Sequence, residues 1–492
     1  MADIDRRSAL LLLAASTALP GAAHAAGRAV PFSWEGLQRL AAARAAAPFR
    51  PVPPVAGAGA IDFDAAGTLR YRADRTLLGG IRLFPLTATA PHPVRINLVE
   101  GGRARPVAFA PDLFEASAGH PALGLAGFRA ITPGRDSDWI AFLGASYFRA
   151  AGSQDQYGLS ARGIAIDTGI DGREEFPAFT DFWIERRGAQ QFVVHALLDG
   201  PSVAGAFRFD CRHGADGVVQ DASCVLFFRK DVARLGIAPC TSMFWYGEGD
   251  RVAATDWRPE IHDSDGLAIA TGSGERIWRP LVNPPRATLD SFADRAPRGF
   301  GLIQRDRDFA NYQDDGAFYD RRPNLWIEPK GDWGAGAVSL FAFPTRGETD
   351  DNVVAFWTPA ARARRGARMA FDYRMTWNGR DPAADAPSRA IACRAGTAGR
   401  PGQKAVAGAR KIVVDLSGEA LGGLGRDAGV TVQADVARGR VLDKAAYPIV
   451  GRPGQWRAMI DVAVEGAGPA DLRLYLRQGD RALSETILLP VY

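Results

Sequence analysis

Residues 192–211 read FVVHALLDGPSVAGAFRFDC, two apolar runs separated by turn-forming residues. In AFRFDC, the last six letters, apolar residues alternate with Arg208 and Asp210, so one face of a strand would be apolar and the other charged. The Asp-Gly-Pro-Ser sequence between the runs favours a turn. This stretch therefore predicts two neighbouring antiparallel strands that cover a core with one face.

The same pattern recurs along most of the chain. Short apolar alternations between turn residues are TLRYR (68–72), PVRINL (93–98), KIVVDL (411–416), VTVQADV (430–436), WRAMIDV (456–462) and DLRLYLR (471–477). Helical patterns are few, and one helix is predicted after Phe32, where Ser33 can cap it and Glu35 lies in its first turn. Many strands and few helices predict an all-β protein built on a large antiparallel β-sandwich.

The length and one change of composition predict two domains. A chain of 492 residues exceeds what a single hydrophobic core usually supports. Residues 377–387, WNGRDPAADAP, are typical of a linker, and the hundred or so residues after it contain several strands at immunoglobulin-like spacing. We therefore expect an N-terminal domain over 26–376, a linker over 377–387 and an immunoglobulin-like domain over 388–492.

The first 25 residues have the features of an export signal. Arg6 and Arg7 precede the apolar run 10–19, and Ala23-His24-Ala25 forms an A-x-A cleavage site. The paired arginines indicate the twin-arginine route. We expect residues 1–25 to be a signal peptide and the mature protein to reside in the periplasm.

Composition and the absence of familiar motifs exclude several functions. A net charge of +4, with acidic residues spread throughout, does not indicate nucleic-acid binding. Four cysteines without C-x-x-C spacing and six histidines predict neither a metal site nor a cofactor. Cys211 and Cys224 could form a disulfide or remain buried thiols. No nucleophile elbow, P-loop or dinucleotide fingerprint is present, which argues against serine hydrolases, kinases and dehydrogenases.

Residues 257–351 mix acids, arginines and aromatic residues in a way that suits a sugar-binding groove. Aromatic rings can lie on the apolar faces of sugar rings, while charged groups bind the hydroxyls. The alternatives are solvated ion-pair loops for the charge runs and core positions for the tryptophans.

Two acidic motifs in this region could supply a pair of catalytic carboxylates. One is HDSDG (262–266), and the other is GETDDN (347–352), where adjacent carboxylates can raise each other's pKa. Glycoside hydrolysis uses two carboxyl groups, one as an acid. Turn capping is the alternative for HDSDG, and a calcium loop is disfavoured because a ligand position is missing.

Several long motifs resemble the periplasmic glucan biosynthesis family of MdoG, OpgG and OpgD, and most of all its OpgD branch. They include FLGASYFRA (142–150), EEFPAFTDFWIER (174–186), WRPEIHDSDGL (257–267), GSGERIWRPL (272–281) and YQDDGAFYDRRPNLWIEPKGDWG (312–334). The resemblance implies a galactose-mutarotase-like β-sandwich carrying the cleft, followed by an immunoglobulin-like domain. It also implies an inverting endo-β-1,2-glucanase of osmoregulated periplasmic glucan biosynthesis. The alternatives are a β-1,2-glucan transglycosylase or cyclising enzyme, and a non-catalytic assembly factor that works with a membrane glucan synthase.

The resemblance also assigns roles to residues. It implies that Asp351 is the general acid and that Asp263 is the general base, acting through water. We expect Asp350 to perturb the pKa of Asp351. Motif position and residue type suggest four substrate-binding residues in the groove: Tyr312, Tyr319, Arg307 and Trp326.

Overall fold

The computed structural model describes residues 27–115, 121–382, 386–400, 402 and 406–492, and the predicted signal peptide lies outside them. Within these ranges the protein is almost entirely β-structure, which confirms the predicted fold class. None of the helices in the described ranges is both long enough and apolar enough to span a membrane.

The described residues form three short α-helices and 32 strands. The helices are α1 (Trp34–Ala46), α2 (Phe63–Thr68) and α3 (Phe309–Tyr312). The strands are β1 (Val30–Pro31), β2 (Ile81–Pro85), β3 (Arg95–Glu100), β4 (Arg103–Pro106), β5 (Leu125–Ile131), β6 (Asp138–Leu143), β7 (Tyr147–Ala150), β8 (Ser160–Arg162), β9 (Ile164–Ile166), β10 (Ala178–Gly188), β11 (Gln191–Asp199), β12 (Val203–Gly214), β13 (Gly217–Phe228), β14 (Leu235–Ser242), β15 (Phe244–Tyr246), β16 (Ile261–His262), β17 (Gly266–Ala270), β18 (Arg276–Pro280), β19 (Thr288–Arg295), β20 (Gly299–Ile303), β21 (Asn324–Lys330), β22 (Ala335–Ala342), β23 (Val353–Pro359), β24 (Arg368–Asn378), β25 (Arg389–Thr397), β26 (Ala409–Ser417), β27 (Val430–Val436), β28 (Gly439–Pro448), β29 (Gln455–Val464), β30 (Ala470–Gln478), β31 (Arg481–Ala482) and β32 (Thr486–Val491).

Two large sheets form the sandwich of the N-terminal part. One sheet has the order β1-β4-β3-β10-β11-β12-β13-β24-β21-β20-β17-β18 and continues beyond β18, and the other has the order β19-β22-β23-β14-β8-β7-β6-β5-β2, with β9 also paired to β14. Aromatic rings join the two sheets: Phe142 of β6 lies 5.8 Å from Phe182 of β10 and 5.6 Å from Phe209 of β12, centroid to centroid. Each such ring contributes roughly 1.5–3 kcal/mol by leaving water.

The stretch 192–211 folds as its pattern predicts. β11 and β12 pair antiparallel, and Phe207 and Phe209 are fully buried. The thiols of Cys211 and Cys224 are free and buried, and the register sets Cys211 opposite Gln220, so the disulfide alternative is wrong. The adjacent helix α1 also follows its prediction, because Ser33 accepts a hydrogen bond from the Gly36 N–H at 3.0 Å.

The C-terminal part is a smaller sandwich that continues the main sheet. Its four-stranded sheet has the order β25-β26-β29-β28, and it shares a core with β27, β30 and β32. β32 pairs in parallel with β18, where Ile277 and Trp278 lie opposite Thr486 and Ile487. The strand before the predicted linker, β24, ends at Asn378, two residues into the predicted linker range.

A buried arginine holds the two parts together. Arg305 Nη1 and Nη2 bind Glu485 Oε1 and Oε2 at 2.5 and 3.0 Å, and its Nε lies 2.8 Å from Asp381 Oδ2. Its guanidinium also stacks on Trp278 at 3.6 Å. The side chains of Arg305 and Glu485 are 4% and 1% exposed, so neither charge can turn to water if the other is removed.

We expect Arg305→Met to lower the free energy of unfolding by roughly 3–5 kcal/mol, because it leaves the buried carboxylate of Glu485 without its cation. Arg380→Met is the matched control: its pair with Asp216 is 74% exposed on both sides, so a loss of roughly 0–1 kcal/mol is expected. Chemical denaturation of both variants measures the difference. Equal losses would contradict the structural role of Arg305.

Candidate active site

The carboxyl group of Asp263 is fixed at the end of a short buried strand. Asp263 follows β16 directly, and its backbone N–H donates to the carbonyl of Met243 at 2.9 Å. Its side chain is buried, and Arg322 Nη1 donates to its Oδ1. The guanidinium of Arg322 lies 4.0 Å from the ring centroid of Tyr319, which limits its movement.

Asp351 is placed by the residue that follows it. The side chain of Asn352 accepts from the Phe244 N–H at 2.8 Å and donates to the carbonyls of Phe244 and Phe343 at 3.0 and 2.9 Å. Since Met243 anchors Asp263 and the next residue, Phe244, anchors Asn352, the two acidic motifs are tied to neighbouring points of one backbone. The structure thereby brings Asp263 and Asp351 together across 88 positions of sequence.

The charge of Asp263 influences the ionisation of Asp351. Burial and then the charge of Asp263 raise the pKa of Asp351 to about 6, although Arg162, Arg149 and Arg322 oppose the shift. Asp351 is reachable by solvent, yet enough protein surrounds it for desolvation to be the main cause, and this combination is typical of a side chain in a cleft. The carboxyl of Asp350 instead accepts from Thr345 Oγ1 at 3.0 Å, and the largest contributions to the pKa of Asp351 do not include Asp350.

Asp263 carries opposing influences of its own. Burial raises its pKa, and the positive charges of Arg322, His262 and Arg149 lower it, with a net upward shift. The electrostatic partners of both acids therefore include the same two arginines, Arg149 and Arg322.

The arginines of the site come largely from strands that the sequence analysis did not single out as functional. Arg149 lies on β7 and Arg162 on β8, nearly two hundred residues before Asp351. Arg162 is buried, donates to Glu174 Oε1 at 3.1 Å and lies over the rings of Tyr147 and Phe176 at 4.9 and 5.3 Å. For Arg149 the available signal was its place in the motif FLGASYFRA (142–150), but the order of strands in the sheet is what brings both arginines to the site.

Two of the predicted groove residues are fully enclosed tyrosines. Tyr312 is 0% exposed, and its hydroxyl donates to the Asp306 carbonyl at 3.1 Å. Tyr319 is 2% exposed, and its hydroxyl donates to Glu348 Oε2. The rings stack on each other with centroids 6.1 Å apart. Neither ring offers a free face to a sugar in this structure. Both tyrosines instead make internal contacts that hold neighbouring residues in place.

The other two predicted groove residues also make structural contacts. Arg307 donates to the carbonyls of Asp320 and Arg322 at 3.1 and 2.9 Å, and to Asn324 Oδ1 at 2.9 Å, so it holds the loop that carries Arg322. Trp326 on β21 packs against the core of the C-terminal sandwich. Substrate binding by these four residues stays a prediction.

Two exposed aromatic side chains contact arginines that interact with the acidic motifs. Phe176 is 54% exposed and lies beneath Arg162, while Trp257 is 69% exposed and lies beside Arg258. Arg258 in turn binds Glu348 Oε2 at 2.9 Å, three residues before Asp351. Exposed rings that pack against ion-paired arginines are suited to stacking against sugar faces.

Two further features bear on what the site can hold. Among the described residues, no group of three or more His, Cys, Asp or Glu side chains is arranged to hold a metal ion. A cavity of about 570 Å³ lies between the two sandwiches; Asp265, Arg305 and Cys393 help to line it, but neither Asp263 nor Asp351 does. The carboxyl pair therefore belongs to a different space from this cavity.

We expect Asp263→Asn to lower the pKa of Asp351 below about 6, because it removes a negative charge that raises it. Asp350→Asn is the control and should change the pKa less. Carbon-13 NMR of labelled aspartate carboxyls measures both. An unchanged pKa in Asp263→Asn would mean that the two carboxyl groups do not face each other.

Comparison with known proteins identifies relatives of this chain. Residues 32–491 match the family described as "Periplasmic glucan biosynthesis protein, MdoG". The chain is 48% identical to glucans biosynthesis protein D 1 of Ralstonia nicotianae, over 93% of this chain and 91% of that protein. It is 43% identical to glucans biosynthesis protein D of Xanthomonas oryzae pv. oryzae, over 94% of this chain and 90% of that protein.

Similarity to solved structures is weaker. A galactose mutarotase related enzyme from Lactobacillus acidophilus is 9% identical with a TM-score of 0.22, over 51% of this chain and 95% of that one. A polysaccharide lyase is 12% identical with a TM-score of 0.19, over 74% of this chain and 44% of that one. The sequence matches, which cover almost the whole described chain, decide the assignment: the protein belongs to the periplasmic glucan biosynthesis family.

Proposed function

We propose that this protein is a periplasmic enzyme that cleaves β-1,2-glucan with inversion, with Asp351 as the general acid and Asp263 as the general base. The observation that carries the proposal is the interaction of the two carboxyl groups, in which burial and the charge of Asp263 raise the pKa of Asp351 to about 6. A carboxylic acid that keeps its proton close to neutral pH can donate it to a leaving-group oxygen. Family membership supports a glucan substrate, and the β-1,2 linkage rests on the resemblance of the motifs.

Asp263 is suited to the second role by its burial and its ion pair. Its side chain is 6% exposed and bound by Arg322, so it cannot contact a long glucan directly. It can take a proton through water molecules from the hydroxyl that attacks the anomeric carbon. Attack from the side opposite the leaving group, with no covalent intermediate, inverts the configuration.

The surrounding residues supply substrate contacts. Phe176 and Trp257 offer exposed rings for stacking, and the exposed side chain of Arg149 can bind hydroxyl groups beside Asp351. In this scheme Tyr312, Tyr319 and Arg307 keep the loop of Arg322 in place.

The second candidate is a transglycosylase, which forms a new linkage with a sugar hydroxyl instead of water. The low exposure of Asp263 favours a transglycosylase, because bulk water reaches a shielded base less readily. The catalytic residues would be the same, and only the attacking hydroxyl would differ.

We expect Asp351→Asn to reduce turnover of linear β-1,2-glucan by roughly 10²–10⁴-fold, because the leaving group is no longer protonated. Binding of the glucan should persist, since the amide has nearly the same shape. Asp350→Asn, one residue away, should retain turnover. Chromatography and mass spectrometry of the products, with calorimetry for binding, measure these effects; full turnover by Asp351→Asn would exclude it as the acid.

The products also distinguish the candidate functions. Shortened chains identify a hydrolase, and cyclic or lengthened chains identify a transferase. Glucan that binds to the wild-type protein and stays intact would reject an enzyme and leave an assembly factor, for which association with a membrane glucan synthase would be the next test.

The pH dependence of turnover should report the acid directly. Asp351 must be protonated to act, and its raised pKa means that the protonated fraction falls as pH rises through about 6. We therefore expect turnover to decline on the alkaline side with an apparent pKa near that value. A rate that stays constant from pH 5 to pH 8 would contradict the assignment.

A further inference from the structure

Gln304 has an orientation that its neighbours determine. One end of its side-chain amide faces the backbone carbonyls of His262 and Tyr319, at 3.4 and 3.3 Å. Carbonyl oxygens only accept hydrogen bonds, so this end must be the NH₂ group. The same NH₂ donates at 2.7 Å to the hydroxyl of Tyr312, which in turn donates to the backbone carbonyl of Asp306. The oxygen of the Gln304 amide therefore faces the other way, toward the ring of His262.

Both ring nitrogens of His262 consequently face acceptors. Nδ1 lies 3.0 Å from Gln304 Oε1, and Nε2 lies 3.0 Å from Glu260 Oε2. A neutral imidazole has one N–H and can satisfy only one of these oxygens by donation. His262 is fully buried, so its two ring nitrogens bind these protein oxygens and not bulk water. The arrangement is that of an imidazolium with two donors.

We propose that His262 is a permanently protonated positioning residue, whose charge keeps the neighbouring carboxyl of Asp263 ionised and whose two hydrogen bonds fix the strand that carries it. The catalytic part of this inference rests on the proposed role of Asp263 as a base. His262 itself lies outside the cleft and contacts no substrate.

The rings packed on His262 suit a cation. Phe244 stacks on the imidazole with centroids 5.3 Å apart and planes 19° apart, and Tyr312 meets it edge-on at 5.3 Å. Phe244 is also the residue whose backbone binds Asn352, beside Asp351. The His262 ring therefore packs against the same anchor that places the acid.

The charged groups around His262 are mostly acidic. Burial lowers its pKa, but the hydrogen bond to Glu260 and the charges of Glu260, Asp265 and Glu248 raise it to about 9. Proton transfer to Glu260 would give a neutral pair, yet imidazole is the stronger base by about two pKa units in water. The nearby acids favour the imidazolium further.

The effect on Asp263 has a definite sign. The groups that act on Asp263 are Arg322, His262 and Arg149, which favour its ionised form, while burial opposes ionisation. The charge of Asp263 in turn helps to raise the pKa of Asp351. Removal of the His262 charge should therefore raise the pKa of Asp263, so that the base is protonated at a higher pH than in the wild-type protein.

Nitrogen-15 NMR of histidine-labelled protein without substrate tests the protonation state. The chain has six histidines, so the spectrum is sparse. We expect both nitrogens of His262 to remain protonated from pH 6 to pH 8. In Glu260→Gln, which keeps an acceptor for Nε2 but removes the charge, His262 should lose a proton at lower pH. A single protonated nitrogen at pH 7 in the wild-type protein would overturn the proposal.

The second test measures the consequence for Asp263. In His262→Gln, carbon-13 NMR of the Asp263 carboxyl and the acidic limb of the pH–turnover profile should both move to higher pH. His92→Gln removes a surface imidazole and should move neither. If the wild-type protein turns over no glucan, the proposed function fails, but the NMR titration still decides this inference. An unmoved Asp263 pKa in folded His262→Gln, or, if that variant does not fold, in Glu260→Gln at a pH where its His262 is neutral, would overturn it.

Discussion

The site depends on one pair of adjacent backbone groups, at Met243 and Phe244. The carbonyl of Met243 receives the N–H of Asp263, and both backbone polar groups of Phe244 are bound by the side chain of Asn352. Two acidic motifs that are distant in sequence are thereby fixed to two adjacent residues, Met243 just before β15 and Phe244 at its start. Buried backbone groups are almost always paired, so these bonds tie the position of the carboxyl groups to the stability of the fold.

The two acids then differ in the charges that surround them, as their proposed roles require. Asp263 is enclosed, is bound by Arg322 and lies next to His262, while Asp351 is open to solvent and faces the charge of Asp263. The cations lower the cost of keeping Asp263 ionised, and that charge in turn helps Asp351 to retain its proton. Different environments for two similar groups are the usual means of obtaining an acid and a base from two carboxyls.

Local pattern predicted most of the β-structure, because alternation and turn chemistry act within a few residues. The strand predicted at TLRYR (68–72) is wrong, since the structure has only a single bridge there, between Tyr71 and Phe114. Local pattern did predict the strands β11 and β12 and the cap at Ser33. It could not predict which aromatic residues face outward: Tyr312 and Tyr319 sit in a motif rich in charge, yet both are buried by contacts with Gln304 and Glu348. It also missed Arg149 and Arg162, because their place in the cleft depends on the order of strands in a sheet. The acid pair came from resemblance, since nothing in two short acidic motifs shows that they converge.

A structure of Asp351→Asn with a bound linear β-1,2-glucan would test the central claim most directly. The account predicts one glycosidic linkage between the two positions, with residue 351 on the leaving-group side and a chain of water molecules leading from the opposite side of the sugar ring to Asp263. Glucan bound elsewhere, or a linkage with both carboxyl positions on the same side, would contradict it.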